Sequence, residues 1–247
     1  HSLSSRALFA AHDELRCLLE GVKAGKMLRD MDAPPELRQA VIRTLRDVAH
    51  GICEAMRLKG HHAPVRCLSI SPDSKTLASG SHAGALKLWD IEHGRELLTL
   101  HGHTDVIRAV CFSPNGKWLL SAGDDGIGKV WDVAAGREIA AMRDHRGGVC
   151  ALAFSHDGSL LASGGADGAI LLRDGAEYRE IGKLAGQGAA VSALAFQPGN
   201  PALLASGSDD AAITLWHLKE RRAAQTLRGH QQAVLSLAFH PGGDLLA

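Results

Sequence analysis

The chain has 247 residues, with 27 Lys and Arg against 27 Asp and Glu, and 45% of its residues are hydrophobic. This length and composition predict a globular protein and exclude a disordered one. The zero net charge disfavours nucleic-acid binding, which needs a basic surface. No apolar run reaches the roughly 18 to 20 residues of a membrane span, and no signal-peptide pattern opens the chain.

The five cysteines show neither a C-x-x-C pair nor an even disulfide framework. Cys67, Cys111 and Cys150 lie inside apolar stretches, where a thiol packs as a small hydrophobic group. This pattern favours reduced thiols over a zinc site. We therefore expect a cytoplasmic protein.

Residues 1–53 carry the spacing of two amphipathic helices. Asp32 precedes Pro34 and Pro35, which suits the start of the second helix. The apolar positions fall three or four residues apart, at Leu8, Ala11, Leu15, Leu18 and Val22 and then at Leu37, Val41, Leu45 and Val48. The sequence therefore predicts an α-helical hairpin over residues 1–53.

After this segment a single pattern recurs at intervals of about 42 residues. A large apolar residue ends one short strand in each unit, at Ile70, Phe112, Phe154, Phe196 and Phe239. Each of these strands begins with Val or Ile, and the fifth would cover residues 234–239. A polar turn, a second strand, an Asp-Gly turn and two more strands follow. Four antiparallel strands per unit are typical of a propeller blade.

Gly102-His103, Ser113-Pro114-Asn115-Gly116, Leu119-Leu120-Ser121, Asp125-Gly126 and Val130-Trp131-Asp132 resemble the WD-repeat family of β-propellers. The resemblance implies a mainly β fold over residues 54–247, with four full four-stranded blades and the start of a fifth. The repeats would cover residues 58–99, 100–141, 142–184, 185–227 and 228–247, the last one truncated.

In that family a His, a Ser or Thr, an Asp and a Trp form a buried hydrogen-bond network in each blade. The resemblance assigns this role to His61, Ser79, Trp89, His103, Ser121, Asp125, Trp131, His145, Ser163, Asp167, Ser206, Asp210, Trp216 and His230. Only the second repeat has all four groups. Ala83 replaces the Asp in the first repeat, Arg173 replaces the Trp in the third, and Gln187 replaces the His in the fourth. We therefore expect the third blade to be the less rigid one.

WD-repeat propellers usually close with about seven blades, and this sequence encodes between four and five. We expect a piece of a longer chain, with further blades downstream. Residues 1–53 are similar to the helical spacer that precedes WD repeats in bacterial, often cyanobacterial, multidomain signalling proteins. This resemblance implies an upstream effector domain, such as a STAND-type nucleotide-binding switch.

The sequence gives no sign of a catalytic, cofactor or metal site. Residues 21–27 resemble a phosphate loop only superficially, because the glycine spacing is too short and Met27 stands in place of the Mg²⁺-binding hydroxyl. His61-His62 and His101-Gly102-His103 lack a third ligand with recognisable spacing. We expect no cofactor and no enzyme activity. The alternative is an enzyme or small-ligand binder that uses the central channel of the propeller.

The remaining hypothesis is a protein-binding scaffold or sensor module. Positions that vary between repeats at the Gly-His loops and Asp-Gly turns are the candidates for partner contact: Arg66, Arg108, Arg146, His62, Asp105, His82, Asp124 and Asp209. Arg66, Arg108 and Arg146 would form a basic sector suited to a carboxylate-bearing peptide. We expect a protein partner, no nucleic acid and no membrane.

Overall fold

A computed structural model describes residues 58–143, 145–184 and 188–247, and these residues form four antiparallel sheets. The predicted helical hairpin over residues 1–53 lies outside the described residues. Within them, no helix has the length and apolar character needed to cross a bilayer. The mainly β class is confirmed, whereas the repeat and domain boundaries stay a prediction.

Each sheet consists of four strands that follow one another in chain order. The first sheet contains β1 (Val65–Ile70), β2 (Thr76–Ser81), β3 (Leu86–Asp90) and β4 (Arg95–Leu100). The second contains β5 (Ile107–Phe112), β6 (Trp118–Gly123), β7 (Gly128–Asp132) and β8 (Arg137–Met142). The third contains β9 (Val149–Phe154), β10 (Leu160–Gly165), β11 (Ile170–Asp174) and β12 (Glu180–Leu184). The fourth contains β13 (Val191–Gln197), β14 (Asn200–Ser208), β15 (Ala212–His217) and β16 (Arg222–Arg228).

The predicted turn chemistry accounts for the hairpins inside each sheet. Gly126 and Gly168 follow the turn aspartates with φ of 73° and 74°, a conformation that glycine adopts without steric cost. At the opposite end of β6, in the turn that joins β5 to β6, the Ser113 hydroxyl lies 2.7 Å from Asn115 Oδ1 and accepts the Trp118 N–H. Turns of these two kinds fix the register of the strands that they join.

At the junctions that follow the first and third sheets, a β-branched residue of one sheet packs against a glycine of the other. A Cβ placed on Gly80 would lie 2.6 Å from Ile107 Cγ2, and one on Gly164 would lie 2.6 Å from Val191 Cγ1. At these two junctions the glycine lets the sheets come this close. Ala122 holds the matching position in the second sheet and is fully buried. Val or Ile begins the first strand of each sheet, which we call its inner strand, and at these two junctions it fills the space beside the glycine.

The inner strand of the first sheet differs from the others in its exposure. Leu68 and Ile70 are 61% and 59% exposed, whereas the matching Val110 and Phe112 of β5 are 9% and 6% exposed. The first sheet covers β5, but no described residue covers this face of β1. Burial of the side chains at these two positions of the first strand therefore depends on the preceding sheet.

The predicted fifth inner strand, over residues 234–239, is wrong. Residues 229–247 contain no strand, and one isolated bridge joins Phe239 to Leu246. A strand needs partner groups along its whole length. Here Ala238 N–H bonds Ala247 O and Ala247 N–H bonds Ala238 O, both at 2.9 Å, around the single bridge.

Candidate functional site

The second sheet holds a chain of four polar side chains between its strands and the adjoining loops. Trp131 Nε1 donates to Ser121 Oγ at 2.8 Å, and Ser121 Oγ lies 2.7 Å from His103 Nε2. His103 Nδ1 lies 2.8 Å from Asp125 Oδ2. All four residues come from different parts of the repeat, so the chain ties the Gly-His loop, two strands and the Asp-Gly turn together.

The direction of each hydrogen bond in this network follows from the indole N–H of Trp131, which can only donate. The Ser121 oxygen accepts from Trp131, its hydroxyl donates to His103 Nε2, and Nδ1–H donates to the Asp125 carboxylate. Burial lowers the pKa of His103, although the hydrogen bond that it donates to Asp125 acts in the opposite direction. The imidazole is therefore neutral at pH 7, as this order of donors requires.

The glycine before His103 makes room for the indole. A Cβ on Gly102 would lie 3.0 Å from Trp131 Cη2. The buried Lys129 ammonium lies 5.9 Å from the centre of the Trp131 ring and 2.5 Å from Glu138 Oε2. The indole is thus enclosed by the Gly-His loop and a cation, which holds the loop in one position.

The first sheet keeps three of the four groups. Trp89 Nε1 donates to Ser79 Oγ at 2.7 Å, and Ser79 Oγ lies 2.6 Å from His61 Nε2. Ala83 stands at the Asp position, and the buried Nδ1 atom of His61 has no hydrogen-bond partner in the described part of the chain. The substitution seen in the sequence therefore leaves an unsatisfied polar atom in the structure.

The third sheet keeps the carboxylate and lacks the indole. His145 lies 2.9 Å from Ser163 Oγ and 3.1 Å from Asp167 Oδ1. Arg173 is buried at the Trp position and donates from Nη1 to the backbone oxygen of Tyr178 at 3.3 Å. The guanidinium thus bonds the backbone of the turn after β11.

The fourth sheet keeps the bond from Trp216 Nε1 to Ser206 Oγ, at 2.7 Å. Asp210 accepts the backbone N–H of Ala212 at 3.1 Å inside its turn. Gln187, at the His position, lies outside the described residues. His230 is exposed, and the positions that would match Ser121 and Trp131 in its repeat fall beyond residue 247.

The candidate partner residues lie at the surface around the Gly-His loops and the turns that follow the second strands. Asp124 is half-buried, and the exposed ones are Arg66, Arg108, Arg146, His62, Asp105, His82 and Asp209. Arg108 is not a free cation, because it forms a bidentate pair with Asp124. Its Nε donates to Oδ1 and its Nη2 donates to Oδ2, both at 2.8 Å. Arg108 therefore adds no unpaired positive charge to the basic sector expected of Arg66, Arg108 and Arg146, which stays a prediction.

The Arg108–Asp124 pair escaped the sequence reasoning, although the repeat contained a signal for it. Ile107 pairs with Gly123 across the antiparallel β5–β6 hairpin, and the register shifts between Ile107 and Ala109. Arg108 is the extra residue at this shift, and its side chain reaches diagonally across the pair to Asp124, the residue after Gly123. Among the residues that the structure describes, the guanidinium groups of Arg66 and Arg146 make no ion pair. Arg66 lies in the corresponding column of the first sheet, where His82 replaces the carboxylate.

Cys150 occupies the Arg108 column in the third sheet. Burial raises the pKa of this thiol, and Asp124, Asp167 and Asp209 raise it further, while Arg108 lowers it. A thiol in such a field stays protonated at neutral pH and is a poor nucleophile. In the described part of the chain, no group of three or more His, Cys, Asp or Glu side chains is arranged to hold a metal ion.

A family model described as the IFT122 first beta-propeller matches residues 44–247. The chain belongs to this family. The match covers all four sheets, and the WD-repeat propeller resemblance is thereby confirmed. The sheets are blades of a propeller, and we refer to them as the first to fourth blades.

Solved propellers share this fold. The structure of U3-55K and the crystal structure of RRP9 WD40 repeats each superpose with a TM-score of 0.67 at 24% identity. Each match covers 72% of this chain and 55% of the other. At this level of identity the likeness shows the fold alone.

Curated relatives match over shorter stretches. The ribosome biogenesis protein BOP1 of Mus musculus is 48% identical over 48 residues, which cover 19% of this chain and 7% of that protein. The ribosome biogenesis protein ERB1 of Debaryomyces hansenii is 42% identical over 71 residues, covering 29% and 8%. The matched stretches span less than a tenth of the length of these two relatives.

Proposed function

We propose that this chain is a non-catalytic protein-interaction scaffold that contacts its partner with the propeller face formed by the Gly-His loops and Asp-Gly turns. We call this surface the Gly-His face. The observation that carries the proposal is the coupling of this face to the buried networks. The backbone N–H groups of Thr104 and Arg146 donate to Asp125 and Asp167 at 3.2 and 3.1 Å.

A loop held in this way presents its exposed side chains without a large ordering cost on binding. The backbone N–H of Asp124 also bonds Val106 O at 3.0 Å, and that of Asp209 bonds Ala190 O at 3.0 Å. The turn and the Gly-His loop of one blade therefore form one rigid edge. Such an edge with variable side chains is suited to recognition.

The charges on the Gly-His face favour a partner that bears carboxylates. Arg66 and Arg146 are exposed and make no ion pair within the described residues, so each guanidinium group can donate two hydrogen bonds to one carboxylate. Asp105 and Asp209 add exposed negative charge on the same loops. We therefore expect a protein surface of mixed charge as the partner.

The curated relatives support a role within a larger assembly. BOP1 and ERB1 are named as ribosome biogenesis proteins. An RNA-containing assembly is compatible with this view, while the zero net charge favours a protein partner. Salt-dependent retention of the chain on RNA would reveal a direct nucleic-acid contact.

The setting in a bacterial signalling protein is a separate proposal that depends on residues 1–53 alone. It is tested by the reading frame on both sides of this sequence, where an upstream nucleotide-binding switch would support it and a eukaryotic assembly protein would contradict it. The enzyme alternative would be supported by turnover of a small substrate by the isolated chain.

The Gly-His face is tested by charge reversal. A chain with Arg66→Glu, Arg108→Glu and Arg146→Glu is compared with a control that carries Arg137→Glu, Lys183→Glu and Arg228→Glu on exposed outer-strand positions. Partners are captured on each chain from extract of the source organism and quantified by mass spectrometry. We expect at least tenfold less of the specific partner on the first variant and unchanged capture on the control. Equal capture by both variants would contradict the assignment.

A further inference from the structure

A second recessed surface lies between the third and fourth blades, away from the Gly-His face. It is a cavity of about 300 Å³ with apolar walls from Leu160, Leu172, Pro201 and Leu218 and from Ile181, which is 38% exposed. Lys219 and Arg221 also line it. We call this cavity the rim groove.

The rim groove forms at a point where every pair of adjacent blades makes the same contact. One residue in the turn after the third strand has positive φ, and it meets a residue of the preceding blade's fourth strand. Gly136, with φ of 63°, faces Leu98, because a Cβ on Gly136 would lie 2.6 Å from Leu98 Cδ2. Here the preceding blade supplies the large side chain.

At the next junction the large side chain comes from the turn instead. Tyr178 has φ of 57° and packs against the buried cluster of Leu120, Val130 and Leu161, as Trp118 and Ala140 also do. Its hydroxyl is buried and has no hydrogen-bond partner among the described residues. The ring therefore fills this space by its apolar surface, and a phenylalanine would fill it as well.

The rim groove is the same junction one blade further on. Leu160, Leu172 and Gly182 occupy the positions of Trp118, Val130 and Ala140, and Arg221, with φ of 51°, occupies the position of Tyr178. The apolar positions are preserved, whereas the ring that fills them is missing.

Arg221 does not fill the space, because its guanidinium is held at the edge. Nη2 donates to Ile181 O at 2.8 Å, and the group lies flat against Gly182, where a Cβ would meet Cζ at 3.1 Å. The other guanidinium N–H groups and the Lys219 ammonium have no acceptor within the described residues. The nearby Glu220 is bonded to Arg222 at 2.5 Å.

We propose that the rim groove binds a short segment of a partner protein in which an aromatic side chain is flanked by aspartate or glutamate. The aromatic ring takes the place that Tyr178 holds one blade earlier, and the carboxylates pair with Arg221 and Lys219. The fixed guanidinium is pre-organised for a carboxylate. The rim groove shares no residue with the Gly-His face, so this proposal and the proposed function can fail independently.

The probe is a fluorescently labelled synthetic peptide with one phenylalanine between aspartates, and the full chain is titrated by anisotropy. We expect saturable binding that weakens at least tenfold when the phenylalanine is replaced by alanine, since a buried ring contributes about 1.5 to 3 kcal/mol. A peptide with lysines in place of the aspartates should bind at least tenfold more weakly. Amide resonances of β12 and of residues 218–221 should shift on binding.

Two protein variants test the site itself. Gly182→Ala with Arg221→Tyr copies the filled junction one blade earlier and should abolish binding while the chain stays folded. Lys219→Glu, at an exposed position, should weaken binding several-fold, and Arg228→Glu at the far end of β16 is the matched control that should leave it unchanged. Three outcomes would each overturn the proposal. The first is that the unmodified chain does not bind the peptide, and the second is that the filled variant binds it as tightly as the unmodified chain does. The third is that the alanine peptide binds as tightly as the phenylalanine peptide, which would indicate a general attraction of polyanions.

Discussion

The first and second blades have the same fold and differ in one member of their polar networks. In the second, both imidazole nitrogens of His103 have partners and the residue is buried. In the first, His61 is half-buried and its Nδ1 has no partner among the residues that the structure describes. Both keep the Trp-to-Ser bond at 2.7 or 2.8 Å. The carboxylate therefore is not needed to form the blade, and its contribution is to anchor the Gly-His loop.

The third blade shows the opposite loss. It keeps the His145–Asp167 contact at 3.1 Å but has Arg173 where the indole would bond the serine. Without the indole, Ser163 has one network partner where Ser121 has two. The two incomplete networks thus separate the contribution of the carboxylate from that of the indole.

The largest expected effect comes from removing the serine hydroxyl in a complete network. Ser121→Ala leaves Trp131 Nε1–H and His103 Nε2 unsatisfied, and at roughly 1 to 3 kcal/mol for each buried polar group we expect a loss of about 3 kcal/mol. The matched Ser163→Ala leaves only His145 Nε2 and should cost about 1 kcal/mol. Urea unfolding of both variants measures the difference. Equal losses would contradict the role of the indole bond.

The next effect is a gain. Ala83→Asp places a carboxylate where Asp125 lies in the second blade and gives His61 Nδ1 an acceptor. We expect stability to rise by about 1 kcal/mol, because a buried unsatisfied group is paired. Ala83→Asn, which adds similar volume with a neutral acceptor, is the control and should gain less. A rise that is equal for both variants, or no rise, would show that the missing carboxylate carries no energetic cost.

The smallest effect is a dependence on pH. Burial lowers the pKa of His103 and of His61 below their value of about 6.5 in an unfolded chain. Their contribution to stability is therefore full above about pH 6.5 and is lost as the pH falls through the lower pKa of the folded state. We expect a lower urea midpoint at pH 5.5 than at pH 7.5. His103→Gln, which copies the residue at position 187, should reduce the slope; an unchanged slope would contradict this assignment.

Much of the fold could be predicted from the sequence, because each repeat carries its own turn and strand signals. The expected inner strands at residues 65–70, 107–112 and 149–154 coincide with β1, β5 and β9. The strand expected over residues 234–239 failed for a non-local reason. The local pattern is the same, but a strand also needs partners along its length, and the sequence does not show whether they are present.

The candidate site was less predictable because it depends on which side chains of neighbouring strands lie close together. Arg108 and Asp124 each look like free surface charges, and only the register of the β5–β6 hairpin brings them together. The rim groove was harder still to predict, because it depends on contacts between blades. Arg221 and Gly182 replace Tyr178 and Ala140 of the blade before, and only the packed structure shows that this replacement leaves a space unfilled.

The central claim is that the completeness of the His-Ser-Asp-Trp network sets the rigidity of each blade and of its Gly-His loop. Native-state amide hydrogen exchange of the full chain, compared between the inner strand pairs of the second and third blades, tests it most directly. The account predicts the slowest exchange at β5 and β6, where the network is complete, and faster exchange at β9 and β10. Slowest exchange at β9 and β10 would contradict it.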